Sequence, residues 1–212
     1  GGELVKVLTG IRRSGKSVML DLIKDELAAS GVSRAQFISF NFEDLSFSRL
    51  LTAEALHEEI LKMAGAIEGK VYIFLDEIQE VNAWERCVNS LRVSLDCDIY
   101  ITGSNATLLS GELATYLGGR FVEFRVYPFS FAEFLDLYTR KKPDSTPENC
   151  FQAYITAGGM PYLANLHYAE EPSKQYLRDL FNSVQLKDIV KRHKVRDVDL
   201  LERVIAFVMA HI

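Results

Sequence analysis

Cysteine is scarce in this sequence, with three in 212 residues. Cys87, Cys97 and Cys150 are odd in number and share no CxxC spacing, which argues against a disulfide framework or a zinc knuckle and leaves them as small buried hydrophobes. The four histidines, His57, His167, His193 and His211, form no HExxH pair, so zinc hydrolase chemistry is not indicated. No apolar run approaches the ~18 residues that span a bilayer, and the N-terminus lacks the cationic, apolar and small-residue succession of a secretion signal. The expected setting is a reducing cytoplasm, with no membrane. A basic excess is also lacking: Lys and Arg total 24 against 29 Asp and Glu, a net charge of -5, without the field of a DNA-coating protein. The charge is uneven, since residues 171–212 carry eight basic against six acidic side chains, so any nucleic-acid contact would be local.

What is present is ordinary for a globular chain, 48% hydrophobic and 25% charged, with length for one domain and a smaller appendage. Strand-like and helix-like segments alternate from the start, the signature of a parallel sheet covered by helices in an α/β fold. Strands are expected at 4–9, 37–42, 71–75, 98–102 and 121–126. The intervening helices are expected at 17–29 and 53–64, with apolar residues at helical spacing, around 83–93, and at 106–117, closed by Gly118 and Gly119. Beyond Pro128 the strands cease, and 129–138 is expected to be helical. Residues 141–148 (KKPDSTPE) read as a linker between a first domain, 1–140, and a helical segment, 149–192, broken at Gly158-Gly159-Met160-Pro161. A last helix begins at Asp197. It carries Val204, Ile205, Phe207 and Val208 to an uncapped end, and the expectation is of a fragment.

Gly10-Ile11-Arg12-Arg13-Ser14-Gly15-Lys16-Ser17 matches G-x-x-x-x-G-K-[ST] at every fixed position and stands between a strand and a helix. The two glycines let backbone N–H groups face an anionic phosphate, and the dipole of the helix that follows adds to the attraction. The phosphate cradle is expected from Gly10 through Val18. Lys16 would reach the β- and γ-phosphates of a nucleotide, and the Ser17 hydroxyl would ligate Mg²⁺. Val71-Tyr72-Ile73-Phe74-Leu75-Asp76-Glu77 delivers two adjacent carboxylates to the end of an apolar strand. Asp76 would hold the magnesium and Glu77 would orient and deprotonate an attacking water. Ile99 to Asn105 ends another buried strand in small polar residues, where Ser104 or Asn105 either senses the phosphate or caps the next helix. Asn41 is either a turn residue or a partner for Glu77. Arg120, read alone, is solvated surface. The basic run 191–196 either complements a helix C-terminus or touches nucleic acid.

The succession GIRRSGKS, NFED, FLDEIQE, ITGSNATLLS, LGGRF, YPFSFAEF and GGMP resembles the AAA+ class of P-loop ATPases, in particular a bacterial and archaeal branch of largely uncharacterised members. The resemblance covers essentially the whole chain. It implies a sheet of order 5-1-4-3-2, a helical lid over 149–192, and the start of a winged-helix-like region at 193–212 that leads into a C-terminal domain. It also implies that Lys16 and Ser17 match the Walker A lysine and hydroxyl, Asp76 and Glu77 the Walker B pair, and Asn105 or Ser104 the first sensor. Arg120 matches an arginine finger acting in trans within a homo-oligomer, with Arg12 and Arg13 as alternative cations in cis. No second sensor arginine stands near Gly159 or Pro161.

The expected activity is Mg²⁺-dependent binding of ATP and its hydrolysis to ADP, with the nucleotide state coupled to a DNA or protein target through the C-terminal region. The absence of an NKxD-like guanine reader favours ATP over GTP. A nucleotide-gated switch with negligible turnover and a P-loop kinase are the rival readings. Glu77 beside Asp76, together with Arg120, favours water as the phosphate acceptor.

Overall fold

The computed structural model describes residues 4–104, 117–184, 190 and 195–211. Contacts divide the chain into two compact units, 1–128 and 129–212. The first unit contains β1 (Val5–Gly10), α1 (Lys16–Ala29), β2 (Phe37–Asn41), α2 (Ala53–Ala64), β3 (Val71–Asp76), α3 (Trp84–Ser94), β4 (Cys97–Ser104) and β5 (Phe121–Arg125). The strands form one parallel sheet in the order β2-β3-β4-β1-β5, the 5-1-4-3-2 arrangement read from its other edge. The sequence-based strands match these to within a residue or two. The helix expected at 106–117 falls on residues outside those described, apart from Leu117.

Side-chain alternation along β3 shows how the sheet is held. Ile73 and Leu75 point to one face, where they join Val5, Val7, Ile38, Ile99 and Ile101 under Leu56 and Ile60 of α2 and Val88 and Leu91 of α3. Each such fully buried aliphatic side chain contributes about 1.5–3 kcal/mol relative to exposure. Phe74 points to the opposite face, where it packs with Leu8 and Leu20 and stacks on Tyr100 at 5.0 Å. Being apolar on both faces, β3 reads as a continuous hydrophobic run rather than as an alternation. The three cysteines are buried, and burial pushes the Cys87 thiol up to about 12 and Cys97 up to about 11, as suits packing residues.

Helix ends follow local chemistry. The Thr52 hydroxyl accepts from Ala55 N–H to open α2, as side-chain caps commonly do. The helix α1 is different: the residue before it is Gly15, in the left-handed conformation (φ 100°), and no side chain caps it.

The second unit holds α4 (Phe131–Lys141), α5 (Pro147–Ala157), α6 (Glu170–Val184) and α7 (Val198–Ala210). Ser130 and Glu133 close a capping box on α4, and Thr146 with Pro147 opens α5. The helix 131–141, assigned to the first domain by sequence, packs here: Phe134 and Tyr138 bury with Cys150 of α5. The polar 141–148 stretch is therefore a connection inside this unit, because the aromatic face of α4 turns toward α5. Gly159 is required by a close approach. Its carbonyl accepts from Phe129 N–H at 2.7 Å, and a Cβ there would stand 2.0 Å from the Phe129 carbonyl oxygen.

Far from the carboxyl edge of the sheet, Asp98 of β4 lies between two lysines. Lys6 donates to Oδ1, and Lys70 Nζ stands 2.8 Å from Oδ2. Burial pushes the Asp98 carboxyl up, but the hydrogen bonds and charges of Lys6 and Lys70 outweigh it and hold the group below its ordinary 3.8. Stability from a depressed carboxyl is full above the ordinary value and is lost as pH falls through the folded-state value. Asp98→Asn should therefore be less stable than wild type at neutral pH and converge on it in acid, which denaturant titrations from about pH 7 to about pH 2 would measure. Parallel curves across that range would contradict the assignment.

Candidate functional site

Parallel register brings the chemistry to one edge. Gly10 at the end of β1 pairs with Ser104 at the end of β4, and Asn41 at the end of β2 pairs with Asp76 at the end of β3. Ligands of open α/β sheets bind outside this carboxyl edge. The loop 11–15 leaves β1 there and turns into α1. At Gly10 a Cβ would lie 2.3 Å from the Val126 carbonyl oxygen, so glycine is needed for the chain after β5 to cross it.

Within the loop, Arg13 (φ 62°) and Gly15 are left-handed. The first α-helical bond that closes is Met19 N–H to the Gly15 carbonyl at 2.9 Å, so the N–H groups of Lys16, Ser17 and Val18 have no partner further back in the helix. Ile11 and Val18 are exposed, as is Ser17, while an Arg12 nitrogen lies 3.9 Å from Glu43. Ser14 is 3% exposed, and its hydroxyl is buried with no hydrogen-bond partner. An orphaned hydroxyl beside uncommitted N–H groups fits an anion such as a nucleotide phosphate.

Lys16 is 4% exposed. Its ammonium donates to the Gly10 carbonyl at 3.4 Å and the Ile11 carbonyl at 3.2 Å, and it stands 3.8 Å from Glu77 Oε1. Burial lowers its pKa below 10.5, against the pull of Glu77 and Asp76. A buried cation held by two backbone carbonyl acceptors is costly for the fold and suited to phosphate.

Asp76 is buried and accepts a hydrogen bond on Oδ1 from the Thr102 hydroxyl. The same hydroxyl accepts from Glu77 N–H at 2.9 Å. Glu77 is left-handed (φ 54°, ψ 49°), a conformation that costs a non-glycine residue about 1–2 kcal/mol. Gln79 Nε2 donates to Glu77 Oε2. Asn41, weighed as a partner for Glu77, instead accepts from Glu43 N–H at 3.0 Å and is a turn residue. One carboxylate and one hydroxyl, Asp76 and Ser17, are hard oxygen donors. That small set suits Mg²⁺, which keeps several waters and takes ligands from the phosphates it accompanies.

The remaining expected residues are placed differently. The Ser104 backbone ends β4 beside Gly10, its side chain lies outside the described residues, and so does all of Asn105. Arg120 is exposed and immediately precedes β5, whose first residue pairs with Val5. It therefore sits at the amino edge of the sheet, level with Leu4 and roughly 20 Å from Gly10 along the strand at ~3.3 Å per residue. Thr102 and Gln79 were not singled out by sequence. Thr102 could have been found from the cross-strand register, which puts it beside Asp76, but the linear spacing of 26 positions carries no such signal.

A profile of AAA domains matches residues 3–135. This chain belongs to the AAA domain family. An uncharacterised Haemophilus influenzae protein is 40% identical over 206 residues, 97% of this chain and 51% of its own length. An uncharacterised Methanocaldococcus jannaschii protein, MJ1544, is 35% identical over 203 residues, 92% of this chain and 44% of its own. The chain thus spans about half the length of these relatives. Among solved structures, Aeropyrum pernix ORC1 in complex with DNA superimposes with a TM-score of 0.51 at 17% identity, over 82% of this chain and 55% of that one. That likeness concerns the fold. The AAA+ P-loop architecture is a nucleotide-binding one, and among the described residues no helix is long and apolar enough to cross a membrane.

A lysine with a depressed folded-state pKa destabilises the protein while it is charged in both states, and the penalty fades as pH rises from the folded value toward 10.5. Lys16→Met should therefore raise the melting temperature of the nucleotide-free AAA domain near neutral pH, with the gain shrinking in alkali. A lower melting temperature throughout would mean that pairing with Glu77 outweighs burial.

Proposed function

We propose that this AAA domain binds ATP with Mg²⁺ and hydrolyses its β–γ bond. The observation that carries the reading is the buried Lys16 ammonium, held at the carboxyl edge between two loop carbonyls and Glu77 beside Asp76. The loop from Gly10 to Val18 would wrap the phosphates, with Lys16 exchanging its backbone acceptors for phosphate oxygens. Ser17 and Asp76 would hold the cation, which neutralises phosphate charge when bound. Glu77 would take the proton of the attacking water, and Ser104 or Asn105 would contact the γ-phosphate or that water.

Glu77→Gln should keep affinity for ATP while losing turnover, since the amide keeps the shape but cannot accept a proton. Asp76→Asn should weaken Mg²⁺-dependent affinity instead. Calorimetry with phosphate-release assays separates the two, and equal hydrolysis by wild type and Glu77→Gln would overturn the assignment of the base. Running the assay with and without duplex DNA tests whether DNA, present in the ORC1 complex, is also an effector here.

Arg120 is assigned a role across a subunit boundary. From the amino edge it cannot span the sheet to its own phosphate loop, so a contribution to catalysis would have to come from a neighbouring copy. A transition-state arginine is worth about 10³–10⁵ in rate, so specific activity should rise with protein concentration. Mixing Arg120→Ala with Lys16→Ala should restore part of the activity that each lacks alone. A concentration-independent rate with no recovery would return Arg120 to plain surface. Where the domain is joined to a further one, as the resemblance implies, the nucleotide state would be passed to it.

A further inference from the structure

We propose that Thr102 is a positioning residue that sets both acidic side chains of the site through one hydroxyl, an inference that rests on the ATP-hydrolysis reading above. Thr102 is fully buried, at 0% exposure, and lies near the end of β4, where the β3–β4 register places it beside Asp76. A hydroxyl has one proton to give and lone pairs to receive. Here the proton goes to Asp76 Oδ1 and a lone pair receives Glu77 N–H at 2.9 Å. The two bonds reach adjacent residues with different proposed tasks, one holding the cation and the other serving as base.

Each bond has its own consequence. Engagement of Oδ1 fixes the rotation of the Asp76 carboxylate, so Oδ2 is the oxygen left to face a cation. Capture of the Glu77 N–H pins the peptide at the start of a left-handed residue (φ 54°, ψ 49°), and that backbone conformation directs the Glu77 side chain toward Lys16, 3.8 Å away, and Gln79. Without the hydroxyl, a buried carboxylate oxygen and a backbone N–H lose their partner together. The carboxylate is then free to rotate, and the Glu77 turn is free to relax toward a right-handed or extended conformation. Mutating a residue that orients a metal ligand in this way typically costs about 10–100-fold in metal affinity or activity.

The test compares Thr102→Val, which keeps the shape and removes the hydroxyl, with Thr102→Ser, which keeps the hydroxyl. A fluorescent ATP analogue is titrated with and without Mg²⁺, and phosphate release is followed in parallel. Thr102→Val should bind the analogue normally without metal, and lose about ten- to hundredfold in the affinity gained on adding Mg²⁺ and in kcat. Thr102→Ser should retain most of both. If circular dichroism shows Thr102→Val unfolded, Thr102→Cys, with similar volume and only a weak donor, takes its place with the same expectations. Wild-type Mg²⁺ dependence and kcat in the variant without the hydroxyl would overturn the proposal, as would a loss in Thr102→Ser equal to that in Thr102→Val. If wild type itself releases no phosphate, the hydrolysis reading fails, and the metal titration alone still decides whether Thr102 sets Asp76.

Discussion

A buried ammonium is the constraint around which the first unit is organised. Lys16 is nearly inaccessible to water, and a charge in that position is unfavourable unless its hydrogen-bonding capacity is met. Two carbonyls of the loop and one carboxylate meet it. Those acceptors come from two separate places in the chain, so the loop after β1 and the turn after β3 have to arrive together. The register of β1 and β3 with β4 between them delivers that meeting.

The sheet in turn depends on hydrophobic faces of unequal size. The larger apolar cluster lies under α2 and α3, the smaller one beside α1. The smaller face is partly aromatic and ends in the Lys6–Asp98–Lys70 group, which gives that end of the sheet a dependence on acid. The polar side chains inside the sheet are few, and the Thr102 hydroxyl bonds both Asp76 and Glu77 at the edge. Backbone strain is present there too, since Arg13 and Glu77 are left-handed without being glycine. Local strain retained beside a buried charge is a pattern found where geometry serves binding rather than stability.

Much was legible in the linear sequence because it rests on short-range rules. The strands and most helices follow from apolar spacing, the α/β class from their alternation, and the phosphate loop from eight contiguous residues whose glycines have local conformational reasons. The pairing of Asp76 with Glu77 was equally local, being two adjacent positions at the end of an apolar strand. The AAA+ resemblance was carried by the order of such local motifs and agrees with the family match over residues 3–135.

Tertiary structure decided what depends on which distant segments share an edge. The partner of Glu77 was weighed as Asn41, since both end strands. In the fold Asn41 closes its own turn, and Gln79 and Thr102 make the contacts instead. The helix expected at 129–138 read as part of the first domain because a polar stretch follows it, yet the aromatic face of α4 packs on α5, and the direction of such a face is invisible without the partner. Arg120 looked like any loop arginine, and its distance from the phosphate loop became known only when β5 paired with β1 at Val5. Periodicity and motif spacing report what a residue does to its neighbours in the chain. Register and packing direction are collective properties of the folded sheet, and no single stretch of sequence encodes them.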